Sequence, residues 1–119
     1  MKDTKYYMAS SKQTQAVLKA LAEPRRVAIL QLVHSRELRA GDIAGHFKTT
    51  RPAISQHLRV LTRAGLLTER REGTSRLYRV RPEGFVQLKT FLNTFWDDSL
   101  SRLKIEAERE ARRRKRIGL

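Results

Sequence analysis

Thr49-Thr50-Arg51-Pro52-Ala53-Ile54-Ser55-Gln56-His57-Leu58-Arg59-Val60-Leu61-Thr62-Arg63-Ala64-Gly65 is the most informative segment of the chain. Thr49 and Thr50 offer hydroxyl caps, and Pro52 suits a first helical turn, where its missing N–H leaves no bond unmade. Gly65 is placed to end the helix as a left-handed residue. At 100° per residue, Ile54, Leu58 and Leu61 fall within about 60° of one another and define the buried stripe. Pro52, Gln56, Arg59 and Arg63 lie on the opposite face, flanked by Ala53 and Ser55. His57 lies about 60° from the stripe, nearer the core than the exposed face, and reads as a structural, hydrogen-bonded histidine.

Two strands follow at once, Leu66 to Arg71 and Arg76 to Arg81, joined by the turn Glu72-Gly73-Thr74-Ser75. Upstream, Ala16, Val17, Ala20 and Leu21 give the segment Ser11 to Ala22 a helical apolar spacing. Glu23-Pro24 punctuates it, and Pro24 opens a second helix through Val27, Ile29, Leu30 and Val33 to about His34. A third short helix covers roughly Ala40 to Phe47, without a good cap at Arg39 but with Asp42 in its first turn. Pro82-Glu83 begins a long last helix, to about Glu110, whose apolar face runs from Phe85 to Leu103. The predicted order is four helices, a β-hairpin and a fifth helix. Such a mainly α chain with a small hairpin is a winged helix-turn-helix.

Residue types on the exposed face of the fourth helix suit base and phosphate recognition. Gln56 can pair bidentately with adenine and Arg59 or Arg63 with guanine or phosphate. Ser55 pairs with either partner, and the short Ala53 permits approach to a thymine methyl. Thr50, Arg51 and Pro52 stand at the helix N-terminus, which favours a phosphate. The hairpin adds Arg70, Arg71, Arg76 and Arg79. Charge is concentrated in the same place. Of the net +14, Lys48 to Arg81 carries +7, Arg112 to Arg116 carries +5, and the remaining 80 residues only +2. A basic site of this kind predicts a polyanionic partner, double-stranded DNA above all.

Several quoted segments together resemble the ArsR/SmtB family of bacterial repressors. They are Glu23-Pro24-Arg25-Arg26-Val27-Ala28-Ile29-Leu30, Ala40-Gly41-Asp42-Ile43-Ala44, Ser55-Gln56-His57-Leu58-Arg59-Val60-Leu61, Ala64-Gly65-Leu66-Leu67 and the wing Arg71 to Tyr78. The resemblance covers about residues 12 to 100. It implies a homodimer that represses transcription from an operator of two-fold symmetry, with the first and last helices at the dimer interface. Val17, Leu21, Phe85, Leu88, Leu92, Phe95, Trp96, Leu100 and Leu103 would then meet the partner. Thiolate sensors of the family carry Cys in the segment matching Glu37 to Asp42, where this chain has none. Its last helix has Asp97 and Asp98 but no His, and carboxylates alone suit zinc poorly. The segment Phe91 to Leu103 resembles the branch that senses no metal, in which some members repress their own genes.

The length, 119 residues, predicts one domain. The division expected is an arm over 1–10, the winged domain over 11–110 and a basic tail over 111–119, whose dense like charge argues against folded structure. Absence of Cys excludes disulfides, thiolate metal sites and thiol nucleophiles. No apolar run of about 18 residues exists, which predicts no membrane insertion. Met1 to Ser10 lacks a signal core, which predicts no secretion, and with the DNA-binding reading the expected place is the cytoplasm, at the bacterial nucleoid. No Ser–His–Asp pattern, phosphate loop or paired carboxylates point to an enzyme, and no cofactor or metal is expected. Two alternatives stay open: a module binding RNA or an acidic protein, and a metal-responsive repressor using Asp97, Asp98 and a histidine from elsewhere. The sequence names no effector.

Overall fold

The computed structural model describes residues 11–118; the expected N-terminal arm, 1–10, lies outside them. Helix α1 is Lys12–Leu21, capped by Ser11, whose hydroxyl accepts the Thr14 N–H. Helix α2 is Pro24–Leu32, and its cap is the Glu23 carboxylate, which accepts the Arg26 N–H at 3.0 Å. Helix α3 is short, Ala40–Ala44, and Arg39 gives it no side-chain cap. Turn hydrogen bonds rather than helix carry the chain on to Phe47. Helix α4 spans Arg51–Arg63, with Thr50 as the hydroxyl cap and Pro52 in the first turn.

Strands β2 (Leu67–Glu72) and β3 (Ser75–Val80) form the expected hairpin. A strand that the sequence does not announce, β1 (Leu38–Arg39), joins the other edge of β3, giving an antiparallel sheet of order β1-β3-β2. Two residues are too few to show alternation, so only pairing makes this segment a strand. Pro82–Phe85 forms one 3-10 turn, and α5 runs from Val86 to Arg116.

The end of α4 is built with unusual closeness. Gly65 has φ +80°, and the bonds Gly65 N–H to Thr62 O and Leu66 N–H to Leu61 O complete a Schellman motif. Two carbonyls freed there are taken up from outside the helix: Ala64 O accepts from Gln13 Nε2 at 2.6 Å and Gly65 O from Arg81 Nη1 at 3.3 Å. The 3-10 turn lies backbone to backbone on the same point. A Cβ added at Gly84 would sit 1.9 Å from Gly65 O, closer than any packing allows. Ile29, Val33, Ile43, Ile54, Leu58, Leu61 and Leu66 form the core around which these elements close.

Contacts divide the chain into the winged unit, ending at Leu88, and the remainder of α5. Val17 and Leu88, expected at a partner surface, are buried within the winged unit and belong to its own core. Leu21 and Phe85 are half-buried, and they line an apolar hollow with Val27, Leu30, Val80 and Pro82. Beyond Lys89, the side chains of Leu92, Phe95, Trp96, Leu100 and Leu103 are exposed, Trp96 by 62%. Phe91 and Phe95 meet edge to face at 5.1 Å.

The expected tail is not a separate segment, because α5 continues unbroken to Arg116. Like-charge density is offset by acids one turn earlier: Glu106 pairs with Arg109, Glu108 with Arg112, and Glu110 with both Arg113 and Arg114. These (i, i+3) and (i, i+4) spacings put opposite charges on one side of a helix, acid first, as the macrodipole prefers. Hydrogen bonding to Arg113 holds the Glu110 carboxyl below its ordinary pKa.

The two glycines of different kind should separate cleanly under substitution. Gly73, at the hairpin turn with φ +63° and open space around it, should lose about 1–2 kcal/mol as Gly73→Ala, the ordinary left-handed cost. Gly84→Ala meets backbone that cannot yield and should cost about 3 kcal/mol or more by urea denaturation. Equal losses would show that the backbone contact at Gly84 relaxes.

Candidate nucleic-acid interface

Helix α4 is held from behind by the α1–α2 junction. Arg26 donates from Nε to Ala20 O at 2.6 Å and from Nη2 to Lys19 O at 3.1 Å, closing the C-terminus of α1. Its Nη1 lies 3.4 Å from His57 Nδ1 on α4, and His57 Nε2 is 3.9 Å from Glu23 Oε2. Burial works against the Glu23 carboxylate, but the Arg26 N–H, His57 and the neighbouring cation outweigh it and lower its pKa. His57 therefore anchors α4 to the α1–α2 junction, as its angular position implies.

On the front, α3, α4 and the wing enclose an open groove of about 700 Å³. Arg51, Ser55, Arg59 and Arg63 reach it from the expected set on α4, and Arg76 reaches it from the wing. Arg39 also lines it. Nothing local in the sequence marks this residue, because it reaches the groove wall from β1, where it pairs with Leu77 of β3. Asp42 and Glu69 are the two acids on the groove wall, against five arginines. The Arg51 guanidinium folds back toward α3, 3.6 Å from where a Gly41 Cβ would stand.

Gln56, Pro52 and Ala53 do not line the groove. Gln56 and Pro52 are exposed, and Ala53 is half-buried. Gln56 Oε1 accepts from Arg59 Nη1 at 3.1 Å, which holds the two recognition candidates in one arrangement. Thr50 spends its hydroxyl on the Ala53 N–H at 3.2 Å.

Strand alternation divides the four wing arginines between two faces. Arg71 and Arg76 stand opposite each other in the ladder, with Glu69 and Tyr78 the next pair on that face. Like charges directly opposite are unfavourable, and Arg76 is offset by Glu69 Oε1 at 3.0 Å. Burial and the Glu69 carboxylate push the Tyr78 hydroxyl upward in pKa, with Arg76 opposing them. Arg70 and Arg79 are on the other face. Arg70 is not a free cation: its Nε donates to Glu37 Oε1 and Oε2 at 3.0 and 2.9 Å, and its Nη2 to Glu37 Oε1 at 2.7 Å. Nη2 also reaches Glu72 Oε2 at 3.1 Å. Hydrogen bonding to Arg70 holds Glu37 below the ordinary carboxylate pKa, and Arg70 is raised in turn.

Residues 23–69 match the family described as bacterial regulatory protein, arsR family. The HTH-type transcriptional regulator Rv2034 of Mycobacterium tuberculosis is 36% identical over 94 residues, covering 79% of this chain and 88% of its own length. The chain belongs to the ArsR family. This regulator carries the DNA-binding helix-turn-helix of that family. Among solved structures, one called a possible transcriptional regulator for arsenical resistance is 47% identical at a TM-score of 0.63, covering 75% of this chain and 93% of that one. The homodimeric winged helix-turn-helix DNA-binding domain Mb0332 of Mycobacterium bovis is 32% identical at a TM-score of 0.61, covering 81% and 89%. Among the described residues, no helix is long and apolar enough to cross a membrane.

The rear anchorage of the reading helix is testable by stability. Arg26→Ala removes the partner of two carbonyls at the α1 terminus and should cost about 1–3 kcal/mol in urea. A change within experimental error would mean that water replaces the guanidinium at no cost.

Proposed function

We propose that this ArsR-family regulator is a homodimeric repressor that recognises an operator of two-fold symmetry. The observation that carries this reading is the groove, in which Arg51, Arg59 and Arg63 of the reading helix face Arg76 of the wing. A helix entering the major groove with a basic wing beside it would place base contacts on Ser55, Gln56 and Arg59. Phosphate contacts would fall to Arg39, Arg51, Arg63, Arg71 and Arg76. Pro52 and Ala53 would supply close approach, and Thr50 would frame the helix start. Binding over a promoter represses by occupying it.

Dimerisation is supported by the apolar surface that one copy leaves open. Leu92, Phe95, Trp96 and Leu103 share one side of α5 within roughly 100°, and side chains of this size are rarely left in water together. The hollow beside Leu21 and Phe85 is a second such surface. A second copy of the chain covers both and sets two reading helices about 34 Å apart, one turn of DNA. Such a protein works on the bacterial chromosome, in the cytoplasm. With no Cys in the chain and with Asp97 and Asp98 exposed and lacking a histidine on their helix, release from DNA does not use a thiolate or zinc site.

DNase footprinting across the DNA flanking its own coding region should reveal a short protected site with two-fold symmetry, unchanged by EDTA or added zinc. Protection without sequence preference, or tighter binding to structured RNA than to duplex, would count against operator recognition. Gln56→Ala should relax base preference, whereas Arg76→Ala should weaken all duplexes alike and lower the salt slope by about 0.9. In sedimentation, Trp96→Glu combined with Leu103→Glu should yield folded monomers with weakened operator binding. A dimer that survives both charges would place the interface elsewhere.

A further inference from the structure

Glu37 has no place in the sequence pattern of the site, yet among the described residues of the winged unit it makes the most complete side-chain ion pair. It stands just before β1, at the opposite edge of the sheet from Arg70 on β2, so the pair crosses the face of the central strand β3. Both carboxylate oxygens accept from Arg70, and Glu72 accepts a further bond from the same guanidinium. Arg79 lies on this face too and adds its field to Glu37. The other face of the hairpin is arranged differently: Arg76 has a single contact to Glu69, and Arg71 opposite it has no ion-pair partner among the described residues.

We propose that Glu37 is a positioning residue for the wing, a latch that crosses the sheet to hold Arg70 away from DNA phosphate and leaves contact to the Arg71–Arg76 face. This rests on the groove being the DNA interface. Arg70 commits Nε and Nη2 to Glu37 and Glu72, which leaves the Nη1 edge for a second anion and removes the bidentate Nε–Nη2 edge from it. Phosphate and Glu37 therefore compete for one guanidinium. While Glu37 holds it, the wing makes fewer sequence-independent contacts, and a larger share of the binding falls to the reading helix. Removing the carboxylate turns Arg70 outward as an additional phosphate ligand. The sheet itself survives, because β2 and β3 pair over six residues without help from Glu37.

Fluorescence anisotropy on a labelled 20-base-pair duplex of arbitrary sequence, titrated from low to high salt, tests the latch. Glu37→Gln should bind severalfold more tightly at low salt, with a log–log salt slope steeper by about 0.9, the value of one added phosphate contact. Arg70→Ala alone should leave the slope at the wild-type value, and the double variant should lose the gain. Arg76→Ala is the reference for the groove, and its slope should fall. Circular dichroism should show all four variants folded.

The latch is overturned if Arg70→Ala flattens the slope as Arg76→Ala does, since Arg70 would then already touch phosphate. It is overturned equally if the gain of Glu37→Gln persists without Arg70, because loss of a negative charge would suffice to explain it. A wild-type protein and an Arg76→Ala variant with the same slope would overturn the groove as the DNA interface, and the latch with it. A normal Arg76→Ala response beside an unchanged Glu37→Gln slope overturns the latch alone.

Discussion

The C-terminus of α4 has to end in a carbonyl pair that other segments can reach, and the winged unit is arranged around meeting that requirement. Gly65 turns the chain with a positive φ, and the Ala64 and Gly65 carbonyls accept from Gln13 on α1 and Arg81 beyond β3. Gly84 then lets the 3-10 turn rest directly on the Gly65 backbone. A contact between two main chains has no rotamers, so it fixes position more tightly than side-chain packing does. The start of the recognition helix is fixed separately, by the Thr50 cap, and its middle by His57 against Arg26. Held at three points, α4 can present its polar face without using that face for its own stability.

Electrostatics on the wing follow from the period of a strand. Four arginines read as one patch in the sequence, but alternation sends Arg71 and Arg76 one way and Arg70 and Arg79 the other. The first pair stands beside Tyr78 and Glu69 and includes a direct like-charge opposition, a local cost that a purely structural hairpin has no reason to carry. In the second pair, Arg70 is met by Glu37 from across the sheet, and Arg79 lies within its field. One hairpin thus carries a face where two arginines stand opposite each other with Glu69 paired to one of them and a face where Glu37 and Glu72 hold Arg70.

Helix α5 shows the same principle in one dimension. Its basic end would be an implausible helix if judged by the run Arg112 to Arg116 alone, since adjacent like charges repel. Glu106, Glu108 and Glu110 change the outcome because they stand three or four residues before Arg109, Arg112, Arg113 and Arg114, on the side where those arginines emerge. Toward its start the helix instead exposes Leu92, Phe95 and Trp96. The single helix therefore passes from an apolar surface that favours a partner to a charged one that water covers.

The sequence by itself determined the helices, the hairpin and the stripe of Ile54, Leu58 and Leu61, because these depend on periodicity and caps within a few residues of each other. It also separated the polar face of α4 from its buried stripe and gave the structural role of His57, since both follow from the angular spacing on one helix. Tertiary structure alone decided what depends on distant segments. It brought Arg39 to the groove through a two-residue strand, paired Arg70 with Glu37, and placed Val17 and Leu88 in the core of the winged unit. The reason is range: a helical period reports which residues share a face, whereas the partner that neutralises or covers that face is supplied by a strand or helix elsewhere in the chain.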